Sequence, residues 1–140
     1  MANLDRERVL AKIDRLDAYI AELQEIAPGS FSEYQKVEKK RACERLLQLS
    51  IEVVIDICNL FVSGLRLGLP AEEEDLFRKL LGAGVISETM HAKLRKMRGF
   101  RNILVHEYTQ VDDRLVYEAV KTKLEDFASF KREVLVQLKR

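Results

Sequence analysis

The chain has 140 residues, of which 47% are hydrophobic and 34% charged, enough for one soluble domain with a substantial core. Its 24 Lys and Arg stand against 23 Asp and Glu, so overall charge argues for neither nucleic acid nor membrane, and any polyanion site must come from local clustering. Residues 1–8 are charged where a signal peptide needs an apolar core, and no uninterrupted apolar run approaches the ~18 residues of a membrane span, so a cytoplasmic protein is expected.

Apolar residues recur at helical spacing in every long segment, and strict alternation is absent, so the chain reads as all-helical. The first helix is expected over about residues 3–26, with Leu4, Val9, Ile13, Leu16, Ile20 and Leu23 on one stripe, ending at Pro28-Gly29. Ser30 and Glu33 have capping-box spacing and open a second helix reaching about Leu65. This helix is apolar on more than one face and should be central. Cys43 and Cys58 both lie on it, roughly 22 Å apart at 1.5 Å per residue, too far to bridge, and are read as reduced core residues.

Pro70 with Glu72, Glu73 and Glu74 opens a short third helix whose carboxylates suit the positive end of its dipole, and Gly82-Ala83-Gly84 closes it. Ser87 can cap a fourth helix reaching about Val105, and Asp112 or Asp113 a fifth running to the C-terminus. The expected fold is all-α, an up-and-down bundle of four main helices plus one short helix.

The fourth helix carries exceptional positions. Met90, Leu94, Met97, Arg101, Leu104 and Tyr108 form one stripe that should face the bundle. Arg101 therefore stands where the pattern asks for Leu, and a guanidinium there needs an anionic partner. Glu52 and Asp56, inside the apolar second helix, offer an internal ion pair; a phosphate in a cleft is the other reading. A second stripe of His91, Arg95, Arg98, Asn102 and His106, with Lys93 and Lys96 on the same turns, forms a basic patch. It is either a solvated face or a track for a polyanion that ends at a histidine, and Arg95, Lys96 and Arg98 are its candidate polyanion contacts.

Imidazole titrates near neutrality, so His106 can act as base or acid at cellular pH. Arg101 and His106 are five apart, however, about 140° around an ideal helix, so their side chains diverge unless the backbone distorts or a second copy completes the site. No Cys, His and carboxylate group shows zinc spacing, no Gly-rich phosphate loop is present, and no serine or cysteine sits in a nucleophile context.

Arg101-Asn102-Ile103-Leu104-Val105-His106, at the end of a helix in an all-helical chain, resembles the signature of the HEPN superfamily. The continuation Glu107-Tyr108 completes the narrower R-x4-H-x-Y pattern of the HepT-like toxins. The resemblance covers nearly the whole chain and implies one HEPN-like domain over residues 1–140, acting as a homodimer. It implies a metal-independent endoribonuclease toxin of a type VII-like toxin–antitoxin pair, using no cofactor of its own. Arg101 and His106 would be catalytic, Asn102 supporting, and the substrate an RNA such as tRNA or mRNA. The implied partner is a minimal nucleotidyltransferase antitoxin of the MntA type that spends ATP to place AMP on Tyr108. The rival readings are a non-catalytic module that helps such a nucleotidyltransferase bind nucleotide or substrate, and a plain dimeric scaffold.

Overall fold

The computed structural model describes residues 4–106 and 111–140. Seven helices occur among them: α1 (Arg6–Ile26), α2 (Phe31–Tyr34), α3 (Val37–Gly64), α4 (Glu73–Gly82), α5 (Glu88–Val105), α6 (Asp113–Thr122) and α7 (Glu125–Leu138). The all-α expectation holds, but two of the expected helices are each divided.

Both breaks occur without Gly or Pro. At the first, Ser30 Oγ accepts the Glu33 amide at 3.1 Å, while Glu33 reaches back to the Gly29 amide at 3.0 Å. That Gly29 bond, first among the causes, holds the Glu33 carboxyl below the usual carboxylate range. The cap closes a single turn that buries Tyr34 completely and packs it with Phe31 and Tyr117. Lys36 then adopts an extended backbone and α3 starts afresh. At the second break, Lys123 leaves helical geometry with φ −110° and ψ 1°, and its amide still bonds the Ala119 carbonyl. Val116 and Val120 before it, and Phe127, Phe130 and Val134 after it, all face the core. The apolar period therefore runs unbroken through a backbone that is not.

The other boundaries follow local chemistry. Asp5 caps α1 through the Arg8 amide, and Asp112 caps α6 through the amides of Arg114 and Leu115. Ser87 Oγ accepts the Met90 amide at 3.1 Å to start α5, and the same serine is tied to Glu133 of α7 through both its amide and its hydroxyl.

The central helix is α3, which packs against α1, α2, α4, α5 and α6. It is long and apolar enough to cross a membrane by length and composition, but most of its apolar window is buried among the other helices. Lys12 bonds Asp56 and Lys39 bonds the Ile26 carbonyl, so α1 runs antiparallel to α3. Ser87 meets Glu133 and Lys93 meets Asp126, which sets α7 antiparallel to α5. Cys43 and Cys58 are buried and unbridged on α3, where burial raises both thiols above the ordinary range and keeps them protonated.

Candidate functional site

The stripe expected on α5 faces the core: Met90, Leu94 and Met97 are buried and Leu104 packs against the same cluster. Arg101 follows one turn after Met97 with its side chain 14% exposed. Its Nε donates to Asn102 Oδ1 at 3.0 Å, and its Nη2 donates to Glu73 Oε1. The bond to Asn102 gives that residue a definite role, fixing the plane of the neighbouring guanidinium.

Glu73 corrects the expected pairing of Arg101 with Glu52 or Asp56. Asp56 is taken by Lys12 of α1 at 3.1 Å, and Glu52 accepts from Gln48 one turn before it on α3. These carboxylates serve α3 and its contact with α1, whereas the α4–α5 hairpin brings the first turn of α4 to the end of α5. Glu73 was legible only as a residue suited to a helix start. A stronger signal was present: Arg95, Arg98 and Arg101 recur every third residue on α5, opposite the adjacent pair Glu73-Glu74 on the preceding helix.

The basic patch is therefore not a free row of cations. Arg95 Nε bonds Glu74 at 2.9 Å, and Arg98 bridges Glu73 at 3.0 Å and Glu74 at 3.3 Å. The result is an alternating ladder, Arg95, Glu74, Arg98, Glu73, Arg101. Exposure of its arginine side chains falls from 60% through 26% to 14% as the ladder approaches the motif. Three guanidiniums share two carboxylates, which leaves the ladder with a surplus positive charge. Lys93 pairs with Asp126. Lys96 is exposed, and with Lys93 it borders a cavity of about 560 Å³ whose floor includes Leu47, Met97 and Phe100. A second cavity of about 580 Å³, between the end of α3 and Pro70, contains none of the motif residues.

His106 is the residue at which α5 ends. It is exposed, with φ −87° and ψ 108°, an extended backbone rather than a helical one. The break lies in ψ, whereas φ, which sets the direction of the side chain, stays near the helical value, so the divergence from Arg101 expected of the helix remains. Glu107 and Tyr108 lie outside the described residues. Ile103 and Val105, on the final turn, are exposed apolar side chains beside the motif. Among the described residues, no three His, Cys, Asp or Glu side chains gather as a metal site.

A guanidinium held at a helix end, followed by an exposed imidazole where the helix stops, is an arrangement suited to binding phosphate and moving a proton beside it. The family model for HepT-like ribonucleases matches residues 16–134. The chain belongs to the HepT-like ribonuclease family. It is 37% identical over 84 residues to an mRNA nuclease HepT of Shewanella oneidensis, an alignment spanning 60% of this chain and 63% of that relative. It is 25% identical over 135 residues to a tRNA nuclease HepT of Aphanizomenon flos-aquae, covering 96% and 92% of the two chains. Its fold matches that of the tri-AMPylated HEPN toxin of Shewanella oneidensis in complex with an MNT antitoxin, with a TM-score of 0.84 and 29% identity, covering 91% of this chain and 96% of the other.

Proposed function

We propose that this HepT-like chain is the endoribonuclease toxin of a two-gene system, active as a homodimer and independent of metal. The observation that carries the reading is Arg101, fixed by Asn102 and Glu73 one turn before the helix ends at His106. Guanidinium has five donors, and the two bonds named leave donors on Nη1 and Nη2 able to meet phosphoryl oxygens. In the reaction, a ribose 2′-hydroxyl attacks the adjacent phosphorus as a base removes its proton, and the 5′-oxygen departs as an acid supplies one. The products are a 2′,3′-cyclic phosphate and a 5′-hydroxyl. His106 serves as base or acid, and the second copy of the chain supplies the other imidazole. Arg101 stabilises charge on the phosphoryl oxygens. The need for a 2′-hydroxyl restricts the substrate to RNA. Arg95, Arg98 and Lys96 lead the polyanion toward the site, Arg95 and Arg98 by exchanging part of their carboxylate pairing for phosphate.

The partner is a minimal nucleotidyltransferase antitoxin that transfers AMP from ATP to Tyr108. An anionic nucleotide two residues from His106 competes for the place and charge of the substrate phosphate. The names of the two relatives and the AMPylated state of the structural neighbour support this reading.

One experiment addresses activity and regulation together. Protein expressed alone should cleave transfer or single-stranded RNA in the presence of EDTA, leaving cyclic phosphate ends. Protein expressed with the nucleotidyltransferase should gain the mass of one or more AMP groups at Tyr108 and lose that cleavage. RNA that stays intact with the unmodified dimer would rule out the nuclease and leave a non-catalytic partner of the nucleotidyltransferase.

A further inference from the structure

The geometry points to Glu73 as the positioning residue for the motif arginine, a part of the site supplied by α4 and lying 28 positions before Arg101. This inference rests on the ribonuclease reading for its consequence in turnover, and on the ladder alone for its structure.

The argument begins with what a long side chain needs in order to act. An unconstrained arginine samples many rotamers, and fixing it costs conformational entropy at the moment of reaction unless the fold has already done so. Arg101 is held at two separate points of its guanidinium, Nε by Asn102 and Nη2 by Glu73. Two such bonds define both the position and the plane of the group. Asn102 belongs to the same helix and is adjacent in sequence, so it sets the plane only relative to α5. Glu73 comes from a different helix and ties the guanidinium to the rest of the fold.

A carboxylate beside a phosphate-binding arginine would ordinarily weaken it by neutralising its charge. Here the same Glu73 oxygen also accepts from Arg98 Nε at 3.0 Å, so one negative charge is divided between two guanidiniums. Arg98 is in turn shared with Glu74, and Glu74 with Arg95. Sharing of this kind holds Arg101 in place while leaving net positive charge for substrate. Glu74 has the same chemistry and helix but no bond to Arg101, which makes it the natural comparison.

The test compares Glu73→Ala, Glu73→Gln and Glu74→Gln in the dimeric protein, with kcat and KM measured on one RNA well below the unfolding temperature. Glu73→Ala should lower kcat by on the order of 10- to 100-fold, the cost of a misplaced catalytic group, with KM little changed. Glu73→Gln keeps an acceptor and should recover part of the loss, whereas Glu74→Gln, which frees Arg95 and Arg98, should move KM and not reproduce the fall in kcat. In parallel, the Arg101 Nη2–H signal should be protected from solvent exchange in the parent and lose that protection in Glu73→Ala. An unchanged or raised kcat in Glu73→Ala, or a loss that Glu74→Gln matches, overturns the inference. If the parent itself does not cut RNA, the nuclease reading falls, and the exchange measurement decides the role of Glu73: loss of protection supports it and unchanged protection overturns it.

Discussion

Replacing His106 by alanine is expected to lower RNA turnover by on the order of 10²- to 10⁴-fold, the range for loss of a general acid or base, with little change in thermal stability. The two halves of that expectation come from one observation: the imidazole is exposed at the residue where α5 ends, outside the buried cluster that holds the helices together. Removing it takes away a proton carrier without opening a cavity. His106→Gln, which keeps hydrogen-bonding capacity but cannot take up and release a proton, should be almost as impaired as alanine. Single-turnover cleavage and a thermal melt on the same preparations check both halves. A variant that cuts RNA at the parental rate removes His106 from the chemistry.

Arg101→Ala should also lose catalysis, by on the order of 10²- to 10³-fold, because a preorganised cation aimed at developing charge is worth several kcal/mol. Its effect on folding is the more discriminating measurement. Breaking a buried ion pair is costly when it strands a charge. Here Glu73 keeps its bond to Arg98 and is itself about a third exposed, so the expected loss of stability is only about 1 kcal/mol. Arg101→Lys retains the charge but not the planar fork that meets Asn102 and Glu73 together, and should recover little activity. A variant that unfolds readily yet still cleaves RNA would instead make Arg101 a structural pillar of the bundle. Denaturant unfolding beside cleavage kinetics separates the two.

What could be read from the sequence was what local chemistry decides. The Ser87 and Asp112 caps, the break at Pro28-Gly29, the core-facing stripe of α5 and the burial of α3 all depend on residues within a turn or two of one another. The break after Thr122 was hidden because the apolar period continues across it, and the break after Tyr34 because no glycine or proline marks it. The partner of Arg101 was hidden for a different reason. Glu52 and Asp56 stood out as charges on an apolar helix, but which carboxylate reaches Arg101 depends on how the helices pack, and the α4–α5 hairpin supplied Glu73 instead.

If the ladder captures RNA as proposed, its falling exposure should separate capture from the chemical step by their response to salt. Ions screen interactions open to solvent far more than those enclosed by protein. Added salt therefore reaches Arg95 and the exposed Lys96 first and Arg101 last. The enzyme's KM should climb steeply with ionic strength while kcat stays nearly flat. On the proposed reading, the ladder is an electrostatic airlock, its outer end yielding to the medium and to incoming RNA while its inner end keeps Arg101 in register.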